Sequence, residues 1–221
     1  MSFQTIINNA TAITVNKMPI TSATISRSNR LKTATRGPSI YRFDVLCDRP
    51  FDYLTNRDLL EDLNSKNGTV EEEITLSPNA SLGYIMSYLG DLSTPDLANI
   101  VINSYTGSNL VLSTLAVGTI PSGDVIFTKG DYIQPSNSRY SYNVTAEVTG
   151  ADVSLDLVTV PVHRNIFDAS ADGGTSIIGA GLNVANNSTF HVKCLGMPTH
   201  TLIPGGFFTF DNAFTFIEVV Q

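Results

Sequence analysis

The sequence predicts a mainly β fold, a barrel or sandwich carrying one packed helix. Three observations carry that expectation. Apolar and polar residues alternate with period two over many short stretches. Gly, Asn, Asp and Ser punctuate those stretches as turn formers. Only one segment, about 55–64, shows a firm helical stripe, so strands dominate the element count.

In chain order, strands are expected over 5–15, 20–26 and 39–46. The helix follows. Thr55 or Asn56 suits its cap, Asp58 stands in a first turn where the helix dipole favours acid, and Leu59, Leu60 and Leu63 form the apolar stripe. The run from Asn64 to Gly68 ends it. A strand is expected over 70–76, and Thr94-Pro95-Asp96 opens a short helical turn, since proline suits the first helical position. Strands over 99–105 and 109–115 flank Thr106-Gly107-Ser108 as a hairpin. Lys129-Gly130-Asp131 makes a tight turn between 125–127 and 132–133. The strongest alternation is Tyr140, Tyr142, Val144, Ala146 and Val148; a turn over 149–152 and renewed alternation at Val153, Leu155 and Leu157 predict a second hairpin. The stretch 168–187, rich in Gly, Ala, Ser and Asn, is expected to be a loop, and strands over 190–195 and 213–220 close the chain.

With 42% hydrophobic and 15% charged residues, the 221-residue chain has the composition of a folded protein with a sizeable core, not of a disordered one. A low charged fraction suits a surface later covered by partners, and equally suits a neutral Ser/Thr/Asn-rich β protein. The amino terminus shows no signal-peptide pattern and no stretch is long and apolar enough to span a membrane. Cys47 and Cys194 are expected to be free, core-facing thiols. The net charge of −7 is unevenly spread: residues 1–66 hold nine basic and six acidic residues (+3), the remainder four and fourteen (−10). Such polarity suits a basic face meeting a neighbour's acidic face, or pairing of the charges within one molecule.

The search for chemistry finds little. His191 and Cys194 are three apart on an expected strand, so they point to opposite faces and make poor zinc ligands; His163 and His200 bring no partner at metal-binding spacing. No serine sits in a Gly-x-Ser-x-Gly elbow. The segment from Gly174 to Gly181 starts with phosphate-loop spacing but has Ala180 and Gly181 where Lys and Ser/Thr belong. Asp168 and Asp172 lack the further carboxylates of a calcium loop. In Glu71-Glu72-Glu73 the outer two share one strand face and the third takes the other, which reads as a solvated edge. The densest basic cluster, Arg27, Arg30, Lys32 and Arg36, has no interleaved aromatics and stands in a chain of pI near 4.8, so a subunit contact is a better reading than nucleic acid binding. No catalytic, cofactor or metal residue is assigned.

The order of these pieces carries a resemblance. Arg27, Arg30, Lys32 and Arg36 lead into Tyr41-Arg42-Phe43-Asp44-Val45, and the helix follows. Farther on come the Gly130-Asp131 turn, the 140–148 strand and the Pro161-Val162-His163-Arg164 end, and finally Phe190 to Val192, Met197-Pro198 and Phe216 to Val219. This order resembles the distal-tail-like and baseplate hub proteins of tailed bacteriophages, over most of the chain, though tryptophan, frequent in those strands, is absent. The resemblance implies a split tail-ring barrel domain, 1–96 with 186–221, around an inserted β domain at 97–185, in a structural virion protein without an active site or cofactor. It would form a ring, commonly a hexamer, at the junction of tail tube and baseplate or tip. Its partners would be itself and other tail and baseplate proteins, with DNA only passing the lumen. It would be made in the host bacterial cytoplasm and would end in the virion. Rotational symmetry makes such contacts heterologous, and the four basic residues are the expected contact. Two other readings stand beside it: a tail-tube or other virion subunit that stacks into filaments, and a carbohydrate- or receptor-binding β module using Tyr132, Tyr140 and Tyr142 as an aromatic platform.

Overall fold

A computed structural model describes residues 2–25, 31–77, 81–172 and 174–220, without the side chains of 20–25, 31–37 and 171–172. Along the chain run α1 (Ser2–Asn8), β1 (Ala12–Ile25), β2 (Leu31–Leu46), β3 (Phe51–Asp52), α2 (Tyr53–Lys66) and β4 (Glu71–Ile74). There follow α3 (Thr94–Asn99), β5 (Val101–Thr106), β6 (Asn109–Ser113), β7 (Val125–Phe127), β8 (Tyr132–Pro135), β9 (Tyr142–Asn143) and β10 (Val148–Thr149). The remainder is β11 (Leu157–Pro161), β12 (Leu182–Val184), β13 (Phe190–Gly196), β14 (His200–Ile203), β15 (Phe207–Phe210) and β16 (Phe214–Glu218). The fold is mainly β, and its sheets are open: none closes into a barrel among the described residues. Two compact units divide the chain, one of Met1–Ile74 with His191–Gln221 and one of Thr75–Phe190. Their boundaries differ from the 1–96 with 186–221 and 97–185 division, and α3 belongs to the second unit.

The first unit is built on a five-stranded sheet in the order β1-β2-β16-β13-β4. Alternation places Tyr41, Phe43 and Val45 of β2, Phe214 and Phe216 of β16, and Val192 and Cys194 of β13 inside. Each such aromatic contributes about 1.5–3 kcal/mol by leaving water. Phe214 and Phe216 stack at 5.9 Å, and Phe210 meets Phe214 edge-on at 4.7 Å, joining the large sheet to a small one of order β14-β15-β3.

The first segment corrects the sequence expectation. Residues 2–8 form a helix, not the start of a strand: Phe3, Ile6 and Ile7 recur at i, i+3 and i+4 and are all buried, with Phe3 against Phe216 at 5.1 Å. The β-branched Thr5, Ile6 and Ile7 favour a strand locally, and burial of this one face overrides that preference. Helix α2 starts at Tyr53, earlier than expected, because Asp52 is the cap: its carboxylate accepts the Thr55 N–H at 2.8 Å. Leu60 and Leu63 are its buried residues, and Gly68 turns the chain at φ +71° just beyond.

In the second unit the expected hairpin over 99–115 forms as β5 and β6, with Gly107 at φ +58° supplying the two-residue loop. β11 adds to the other side of β6. The hairpin expected over 140–157 does not form. Residues 140–144 are buried at both parities, so that β9 pairs with β8 while β10 pairs with β7. Thr149 and Asp152 close a capping box on a short 3₁₀ turn, after which Leu155 (92% exposed) and Asp156 take φ +52° and +60°. The expected loop 168–187 contains β12, paired to β8, and two 3₁₀ turns.

Candidate functional site

The feature of the first unit most suited to a partner is the β1–β2 ribbon. Pairing runs from Ala12↔Leu46 to Ile25↔Leu31, with register shifts between Met18 and Thr21. The prolines at 19 and 38 fall within that irregular stretch, where a missing N–H is tolerated. β16 pairs with β2 only over Arg42–Val45. Residues 31–40 therefore run as a two-stranded ribbon beyond the sheet, about 30 Å at a rise of ~3.3 Å per residue. Between Ala12 and Phe43 the chain holds six basic residues and no acidic one. Of the four expected contact residues, Arg27 and Arg30 lie outside the described residues, while the backbone of Lys32 and Arg36 lies in β2 on this ribbon.

A second surface is the β14–β15 hairpin, turned by Gly205 and Gly206 at φ +100° and +88°. All four residues of edge strand β14 are exposed, and Leu202, Ile203 and Phe207 are among the exposed large apolar residues. The Gly206 carbonyl accepts the Tyr53 N–H at 2.8 Å, tying the hairpin turn to the start of α2 beside the exposed Leu54 in sequence. An exposed apolar edge of this kind is a surface for association.

The charge split read from sequence is redistributed by the fold. The first unit holds ten basic and eleven acidic residues (−1), and the second three and nine (−6). The reason is that acidic β4 joins the first unit and pairs with its bases. Glu72, expected to sit on a solvated edge, is buried. Its Oε1 lies 2.6 Å from Lys66 Nζ and its Oε2 accepts the Phe3 N–H at 2.9 Å, while Lys66 also meets Asp62 at 2.5 Å. Burial pushes the Glu72 carboxyl upward, but the Lys66 and Phe3 hydrogen bonds prevail and hold it below the usual carboxylate range. On the opposite face of this edge strand, Glu71 and Glu73 flank His191 at 3.2 and 3.7 Å.

The remaining sequence candidates resolve as structure. The two ring nitrogens of His191 face different carboxylates, Cys194 lies on the other face, and no metal-holding group of three ligating side chains occurs among the described residues. Cys47 and Cys194 are free and buried, and burial raises their thiols to about 12 and about 11. The phosphate-loop-like segment is stitched to β5: Gly179 N–H donates to Ile102 O at 2.7 Å, and Ala180 O accepts Ile102 N–H at 2.9 Å. Asp168 closes its own loop, accepting from Ser170 N at 2.9 Å and Ser176 Oγ at 3.0 Å.

The aromatic platform fails. Tyr132, Tyr140 and Tyr142 are all buried, and the latter two form a cradle for Arg164. Its guanidinium lies 5.7 and 5.3 Å from their ring centres and donates to Ser141 O at 2.8 Å. Sequence reasoning missed the buried roles of Glu72 and Arg164; the apolar residues two positions to either side, Val70 and Ile74 about Glu72 and Val162 and Ile166 about Arg164, were the available signal. No family model matches the chain, and comparison with curated proteins finds no similar sequence. No helix among the described residues is long and apolar enough to cross a membrane.

Proposed function

We propose that the chain is a structural subunit of a tailed-phage virion that closes into a ring at the junction of the tail tube with the baseplate or tip. The observation that carries this reading is the basic β1–β2 ribbon running past the last strand that supports it. A two-stranded ribbon is marginal alone in water, so it gains most by packing on a neighbouring copy. The stretch 12–43, whose Lys32 and Arg36 lie on the ribbon, holds six basic residues and no acidic one, which complements the −6 of the second unit. The apolar β14–β15 hairpin supplies further area for association. The virion location rests on the order of sequence pieces that resembles distal-tail-like proteins. On this reading the neighbours are other tail and baseplate proteins, DNA only passes through, and no cofactor is needed.

Light-scattering mass across a concentration series, with negative-stain images of the largest species, tests it. A closed ring of fixed copy number is expected, loosening from 50 to 500 mM salt as screening shortens charge interactions. The double charge reversal Arg30→Glu with Arg36→Glu is expected to leave a folded monomer. Open filaments would favour the tube-subunit reading. A strict monomer at high concentration, or rings indifferent to both reversals, would refute the proposal.

A further inference from the structure

The second unit contains a cavity of about 700 Å³ between the segment 87–92, helix α3, and β12 with the turn that follows it. That volume lies in the range of small-ligand sites, about 300–1,000 Å³. Its floor is apolar, with Leu182, Val184 and Ala185 buried beneath it. Ser87, Thr94, Ser136, Asn183, Asn186 and Asn187 also line it, all but the half-buried Asn183 exposed to solvent. None of these six makes a side-chain hydrogen bond to another described residue. The turn that presents Asn186 and Asn187 is held in place: Ala185 sits at φ +52°, a left-handed conformation costly for a residue with a Cβ, and its carbonyl accepts the Ser188 N–H at 2.9 Å. Tyr88 supplies a fixed ring to the wall, its hydroxyl donating to Ile126 O at 2.6 Å.

Charge is the discriminating property. No Asp, Glu, Lys, Arg or His lines the cavity, although the unit around it carries −6. A charged ligand would lose its hydration and find no counter-charge. A wholly apolar ligand would strip water from six polar groups and leave them unpaired. Amides and hydroxyls each donate and accept, so the matching ligand has groups that do both on a partly apolar body. Vicinal hydroxyls of a pyranose meet that demand, because a side-chain amide can donate to one and accept from the next. Tyr88 and the aliphatic floor suit the C–H face of the same ring.

We propose that this cavity binds a neutral saccharide, one or two pyranose units of a neutral glycan. The site is separate from the buried tyrosines, and it stands whether or not the chain assembles: a monomer that binds sugar and a ring that does not are distinguishable outcomes.

The test uses the full chain on an array of neutral and anionic glycans, including glucose, galactose, mannose and N-acetylglucosamine oligosaccharides in both anomeric linkages. Calorimetry with the best neutral oligosaccharide follows. Asn183→Ala with Asn187→Ala is expected to raise Kd at least tenfold, and Ala98→Trp, on the exposed rim of α3, to abolish binding, both with the wild-type thermal midpoint. On the unaltered protein, the same oligosaccharide is expected to shift the methyl resonances of Leu97 and Val184, a readout that needs no variant. No neutral glycan bound at millimolar concentration, binding of anionic glycans alone, or an affinity that neither variant changes would overturn the proposal. So would methyl shifts confined to other residues.

Discussion

Replacing Glu72 by glutamine keeps the side chain's shape and removes its charge. The carboxylate is 8% exposed, pairs with Lys66 at 2.6 Å, and receives the N–H of Phe3 at 2.9 Å and of Ser2 at 3.4 Å from the start of α1. The new amide NH₂ must face either the Lys66 ammonium or those N–H groups, donor against donor. Breaking a fully buried pair costs about 3–5 kcal/mol; Lys66 stays 20% exposed and keeps Asp62 at 2.5 Å, which reduces the expected loss to about 2–3 kcal/mol. For a chain of this length that is a fall in thermal midpoint of about 4–12 °C. The pH dependence follows from the same geometry. Glu72 is held below its ordinary value, so its contribution is fully present above about pH 4.3, the unfolded value, and disappears as pH falls through the folded one. Lys66 is raised by the hydrogen bonds of Asp62 and Glu72, so its share persists below the unfolded lysine value and is lost only in strong alkali. Urea unfolding at a series of pH values measures both effects. The gap between wild type and Glu72→Gln should be constant from pH 6 to 8 and close toward pH 3, with faster amide exchange at Ile6 and Ile7 in the variant. A gap below about 0.5 kcal/mol at pH 7, or one that survives unchanged at pH 3, would refute the reasoning.

Three further outcomes are expected. Arg164→Ala removes a buried cation held by two rings and a carbonyl, and should destabilise the second unit by about 3 kcal/mol in urea titration; Arg164→Lys, without the planar stacking group, should recover less than half. Gly150→Ala places a Cβ onto the carbonyl of Pro121, a backbone atom that cannot move aside locally, so a loss of about 1–3 kcal/mol is expected by thermal denaturation. Cys47 and Cys194, buried and raised to about 12 and about 11, should react with a thiol reagent at pH 8 only in step with global unfolding; a fast-reacting native thiol would show that their strands open.

Much of the local structure was legible in the chain. The β5–β6 hairpin could be read because its turn, Gly107-Ser108, lies between the strands it joins, and α3 because Thr94, Pro95 and Asp96 are neighbours in sequence, although its cap, Ser93, was not read. The body of α2 was legible and its start was not, since the Asp52 cap is also the end of β3. The opposite faces of His191 and Cys194 followed from parity alone. Of the expected contact residues, sequence supplied the composition of the basic stretch; the ribbon that carries Lys32 and Arg36 beyond the sheet came from the pairing.

Sequence by itself determined that this protein is mainly β, because alternation sets which residues of a strand share a face. It did not determine which strands meet. Tyr140 to Val148 alternates well, yet its two ends pair with different strands, since pairing depends on residues far away in the chain. Only the tertiary structure made residues 2–8 a helix, buried Glu72 beneath it, and gathered uncharged side chains from 87 to 187 around one cavity. Periodicity is a property of neighbours along the chain, whereas burial and convergence are properties of neighbours in space.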